Sequence, residues 1–145
     1  RERANEYIGM LSENPYFSVR PAKGRSFRHI PLYDLPASAG RGVFLDGDSY
    51  TMIEADDSVP EAATFAVRIS GDSMAPLFVD GQIVYVHQQP QLESGDIGIF
   101  LLNGEAYCKK FDQENGVRLI SMNPKYAPIV PDTYSELRIV GRVVG

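Results

Sequence analysis

At 145 residues, with 43% hydrophobic and 23% charged side chains, the chain is long enough to bury one core and too apolar for wholesale disorder. Its net charge of −5 disfavours a nucleic-acid surface, and no apolar run approaches the roughly 18 residues of a membrane span or forms a signal-peptide core. The lone Cys108 excludes an internal disulfide and fits a reducing, cytoplasmic compartment, while His29 and His87 lie far apart with no cysteine cluster, so neither a metal nor a cofactor is expected.

The charge is uneven along the chain. Residues 1–45 carry seven Lys/Arg against four Asp/Glu, whereas the remaining hundred carry seven against fifteen. The basic arm reads either as a solvated linker or as an aid to a neighbouring module on DNA; the acidic body is a poor partner for phosphate. The chain does not begin with Met and is expected to be a segment or processed product of something longer.

Ala4, Tyr7, Ile8 and Leu11 follow the spacing of one helical face, which predicts a helix over the first fourteen residues, ended by Asn14-Pro15. Residues 15–29 mix Pro, Gly, Ser and basic side chains and are expected to be an extended connection. Beyond Ile30 the texture changes to short apolar runs rich in Val, Ile, Tyr and Phe. These predict strands at Tyr50–Ile53, Thr64–Ser70, Gln82–Val86, Ile97–Leu102, Glu105–Phe111, Val117–Ser121 and Leu137–Val144. Asn103-Gly104 between two of them is a strong hairpin signal, and Asp80-Gly81 and Ser94-Gly95-Asp96 mark further turns. The fold class is therefore mainly β, a compact body with a barrel-like or sandwich core.

Two segments could carry chemistry. In Ser70-Gly71-Asp72-Ser73-Met74-Ala75-Pro76, Ser73 follows a strand end at a turn or short helix. Its hydroxyl either caps that helix or projects outward as a nucleophile, beside backbone N–H groups placed for an oxyanion. A serine nucleophile needs a base, and no Gly-x-Ser-x-Gly elbow or histidine motif accompanies it. In Tyr107-Cys108-Lys109-Lys110-Phe111, strand alternation puts Lys109 on one face with Tyr107 and Phe111, and Cys108 with Lys110 on the other. Lys109 is the better placed of the two for a buried amine with a lowered pKa; the alternative is a pair of surface lysines guarding an edge strand.

The runs from Ser70 to Pro76 and from Asp80 to Val84, then Gly95-Asp96-Ile97 and Gly104 to Phe111, resemble in order the LexA and phage-repressor family of self-cleaving serine peptidases. Ser121-Met122-Asn123-Pro124-Lys125-Tyr126 through Gly141-Arg142-Val143-Val144 is similar to that family's C-terminal strands, and the resemblance covers residues 32–145. It departs from the family at Tyr107-Cys108, where smaller or β-branched residues are common. The resemblance implies Ser73 as nucleophile, Lys109 as general base, and the Ser73 and Met74 backbone N–H groups as oxyanion donors. It also implies a scissile Ala39-Gly40 bond within Pro36-Ala37-Ser38-Ala39-Gly40-Arg41-Gly42, a stretch otherwise readable as a flexible loop.

On this resemblance, residues 1–31 form a helix and linker arm, the tail of a missing N-terminal DNA-binding domain, and residues 32–145 form a peptidase and dimerisation domain that includes the cleavage loop 36–42. The implied partners are a second copy of the chain, operator DNA through the missing domain, and a RecA–single-stranded DNA filament that stimulates cutting; a membrane is not among them. Self-cleavage would then relieve repression in the DNA-damage response. Three alternatives compete: a UmuD-like translesion-polymerase accessory protein using the same cleavage, a signal peptidase, which needs an anchor not visible here, and an inert dimerisation module.

Overall fold

The computed structural model describes residues 28–35 and 50–145. The expected N-terminal helix and the loop 36–42 lie outside the described residues. Within them the chain forms eight strands and no helix. These are β1 (Arg28–Asp34), β2 (Thr51–Ala55), β3 (Phe65–Arg68), β4 (Ile83–Gln88), β5 (Ile97–Leu102), β6 (Glu105–Asp112), β7 (Arg118–Ile120) and β8 (Leu137–Val143). The mainly β expectation is met, and the strand runs read from the sequence coincide with β2 to β8 within a few residues.

The strands join into one sheet in the order β2-β1-β3-β4-β8-β5-β6-β7. Every pairing is antiparallel except β1 with β3, which run parallel with Asp34 opposite Arg68. β1 begins inside the stretch expected to be an irregular connection. Its alternating apolar residues, Ile30 and Leu32, are separated by Pro31, and that proline obscures the strand pattern.

Alternation along the strands distributes the apolar side chains over both faces of the sheet. Tyr33, Phe65, Val67, Val84, Val86, Ile99, Leu101, Ala106, Cys108 and Val140 share the main core. Their neighbours point the other way, into a cluster around Ile30, Leu32 and Ala66 at one end and around Phe100, Phe111 and Leu119 at the other. Burial on both faces explains why the strands read as nearly continuous apolar runs.

Two sequence details fix the geometry. Asn103 at φ 52° and Gly104 at φ 84° turn β5 directly into β6, with Leu102 opposite Glu105, as a two-residue hairpin requires. At the junction of β4, β8 and β5, Gly141 has no room for a side chain: a Cβ would lie 2.5 Å from His87 O and 2.8 Å from Val86 Cγ1. Gly141→Ala must therefore push two central strands apart. It is expected to destabilise the fold by about 1–3 kcal/mol, read as a lowered midpoint in denaturant unfolding.

Candidate active site

The parallel pairing of β1 and β3 sends both chains out of the sheet at the same end. Leu35 follows β1 and is held by its N–H to Arg68 O at 3.0 Å. The other chain leaves β3 through Ile69 and Ser70, then turns sharply from Gly71 to Phe78. Gly71 N donates to Asp80 Oδ1 at 2.8 Å, and Phe78 N donates to Met74 O at 2.9 Å, so the turn is closed on itself. Met74 is 1% exposed and anchors the turn in the main core, which leaves the adjacent Ser73 half-buried. Ser73 caps no helix, because none follows it; the hydroxyl is free to serve another partner.

That partner comes from β6. Lys109 Nζ donates to Ser73 Oγ at 2.8 Å. The two residues are 36 apart in sequence and, although three strands lie between β3 and β6 in the sheet, they meet in the cleft that both line. Lys109 is 7% exposed, one of only two buried polar side chains among the described residues; Ser121 is the other. Burial pushes the Lys109 ammonium below its ordinary value of 10.5, the neighbouring Cys108 opposing this weakly. Cys108 itself is buried and pushed up to about 12, so it stays a neutral thiol at physiological pH. On the Lys109 face, Phe111 belongs to the apolar cluster with Phe100, and the Tyr107 ring centroid lies 5.9 Å from Nζ. Lys110 is only partly buried.

Ser73 and Lys109 share a cleft of about 310 Å³ with Leu35, Met74, Ser121 and Tyr126. Ser121 and the segment after it were not assigned a role from the sequence. Lys110 pairs with Ile120 across β6 and β7, so Ser121 is the next residue on the strand facing Lys109. Beyond it, Asn123 and Tyr126 tie down the Ser73 turn. Asn123 N donates to Ser73 O and Asn123 Nδ2 to Asp72 O, each at 3.0 Å. Tyr126 Oη donates to Asp72 Oδ1 at 2.5 Å, and Lys125 Nζ lies 3.4 Å from Asp72 Oδ2. The Tyr126 hydrogen bond holds the Asp72 carboxyl below its ordinary range, with Lys125 adding to it, and raises the Tyr126 phenol in return. The Asn-Pro dipeptide at 123–124 signalled a turn but not its target, 50 residues away in the chain.

Among the described residues no three His, Cys, Asp or Glu side chains gather to hold a metal ion, and no helix is long and apolar enough to cross a membrane. The candidate scissile residues Ala39 and Gly40 lie outside the described residues. A buried amine against a half-buried serine hydroxyl can do nucleophilic chemistry: the neutral amine removes the hydroxyl proton as the oxygen attacks a carbonyl.

Comparison with known proteins points the same way. Residues 31–144 match the family described as Peptidase S24-like. The chain is similar to the LexA repressor of Carboxydothermus hydrogenoformans, 43% identical over 156 residues that take in 97% of this chain and 76% of that protein. It is 29% identical to LexA repressor 2 of Geobacter sulfurreducens over 97% of this chain and 75% of that protein. The LexA repressor of Streptomyces clavuligerus is 41% identical over 99% of this chain and 59% of its own length. The chain thus spans between 59% and 76% of the length of these relatives.

Proposed function

Because this chain belongs to the peptidase S24-like family of LexA-type serine peptidases, we propose that it cuts its own Ala39-Gly40 bond with Ser73 as nucleophile and Lys109 as general base. The observation that carries this is the 2.8 Å contact between the buried Lys109 amine and Ser73 Oγ, in a cleft that Leu35 also lines. Four residues of chain lead from Leu35 to Ala39, a reach of up to about 14 Å, which is long enough for the bond to enter the cleft that Leu35 lines.

In this reading, neutral Lys109 takes the Ser73 hydroxyl proton while Oγ attacks the Ala39 carbonyl carbon. The oxyanion is met by the Ser73 and Met74 backbone N–H groups. As the tetrahedral adduct collapses, Lys109 returns the proton to the Gly40 nitrogen and the C–N bond breaks. Water, deprotonated by Lys109, then hydrolyses the Ala39 ester and restores the Ser73 hydroxyl. Tethering makes the substrate's effective concentration high, so the rate is set by docking of the loop and by the protonation of Lys109.

Cutting there would separate residues 1–39, with whatever precedes them, from the acidic body. In a repressor whose body dimerises and whose preceding domain binds operator DNA, that separation ends bivalent binding and relieves repression. A RecA–single-stranded DNA filament formed after DNA damage would favour the docked loop. The test is the intact mass of the purified chain after incubation at mildly alkaline pH, with and without such a filament. Fragments corresponding to residues 1–39 and 40–145 are expected; a chain that stays whole under both conditions identifies an inert module instead.

A further inference from the structure

We propose that Asn123 is a positioning residue for this reaction, one that aims Ser73 and its flanking N–H groups into the cleft. The inference rests on the self-cleavage reading above and adds a residue to it. Asn123 grips the two carbonyls on either side of the nucleophile: its side-chain Nδ2 donates to Asp72 O and its backbone N to Ser73 O, each at 3.0 Å. A trans peptide is planar, with its C=O and N–H pointing in opposite directions. Fixing the Asp72 carbonyl toward Asn123 therefore directs the Ser73 N–H away from Asn123. Fixing the Ser73 carbonyl does the same to the Met74 N–H.

Both of those N–H groups belong to residues that line the cleft, whereas Asn123 does not border it. Among the described residues neither N–H donates to a protein acceptor, which leaves both for an oxyanion. With both peptide planes held, the Ser73 backbone has little freedom to turn its Oγ off Lys109. Asn123 is itself braced: its Oδ1 accepts from Lys125 N at 3.0 Å and its carbonyl from Tyr126 N at 3.1 Å. The amide is thereby oriented with Nδ2 toward the Ser73 turn. Each of its polar groups is committed to the turn or to its own bracing.

The experiment compares the full chain with Asn123→Ala and Asn123→Asp, following the first-order rate of cutting against pH and the thermal midpoint of each protein. Asn123→Asp keeps size and the acceptor for Lys125 N, replaces the donor with a carboxylate oxygen and adds a negative charge; Asn123→Ala removes the donor without adding charge. The expected result is a plateau rate lowered about 10- to 100-fold in both variants, the scale of a displaced reacting group. In Asn123→Ala, which adds no charge, the pH midpoint of the profile should stay where it is, since Lys109 is untouched.

A plateau rate within about twofold of the parent in a folded variant overturns the role of Asn123. So does a rate loss accompanied by a shift of the pH midpoint in Asn123→Ala, which marks a general loosening around Lys109. Failure of both variants to fold also overturns it, assigning Asn123 to the fold alone. If the unaltered chain does not cut at Ala39-Gly40, the self-cleavage reading falls first; a cutting parent with equally fast variants removes only the inference about Asn123.

Discussion

Ser73→Ala is expected to abolish cutting at Ala39-Gly40, a loss of more than about 10³-fold, while the chain remains folded. The side chain is half-buried at a surface turn, and the turn is held by backbone and neighbouring groups that the substitution leaves in place. What disappears is the hydroxyl oxygen hydrogen-bonded to the Lys109 amine, the one that would attack the carbonyl and form an ester. The readout is intact mass after prolonged incubation at mildly alkaline pH, with circular dichroism to show that the sheet persists. Fragments ending at Ala39 from the Ser73→Ala protein would sink the mechanism.

Lys109→Met should abolish cutting to the same extent and yet stabilise the protein at neutral pH. The two effects come from one cause. Burial lowers the Lys109 pKa below 10.5, so between the folded and unfolded values the unfolded chain binds the extra proton. Stability therefore rises with pH through that window, and the contribution is lost as pH falls through the folded value. At neutral pH the buried amine is a liability in either form: charged it lacks solvation, and neutral it has given up its proton. Met fills similar space without that penalty.

The expected result is a higher thermal midpoint for Lys109→Met than for the parent at pH 7, with the gap closing as the pH approaches 10.5. In the parent, the cutting rate should climb about tenfold per pH unit below the Lys109 pKa and level off above it. A parent rate flat with pH, or a Lys109→Met protein less stable than the parent at pH 7, would remove the buried amine as the base. The opposition of activity and stability at one residue is what a site built on a buried amine requires.

Much of this molecule is written locally in its sequence. Apolar runs bounded by Gly, Asn and Asp identified seven of the eight strands, and Asn103-Gly104 identified the hairpin, because both signals depend on residues that are neighbours in the chain. The strand at Arg28–Asp34 was not legible, since Pro31 interrupts its pattern and a basic, Pro- and Gly-containing stretch leads into it. The overall class was legible; the sheet was not. Nothing local states that the last strand, β8, is inserted between β4 and β5, or that β1 runs parallel to β3.

The candidate site divides in the same way. Residue type and the alternation around Lys109 made Ser73 and Lys109 candidates beside blander readings, and the resemblance of the surrounding runs to the LexA and phage-repressor family implied their roles. That the lysine is buried and lies 2.8 Å from the serine was decided by the packing that brings β6 and the Ser73 turn to one cleft. Ser121 and Asn123 lie in a stretch whose pattern implies strands and a turn but no role in the site, and they join it only because β7 returns along β6 and carries the chain back over the Ser73 turn. Residue types and periodicity are properties of a chain and its nearest neighbours, whereas a depressed amine and an aimed peptide plane are properties of an enclosure. An enclosure exists only once distant segments have packed.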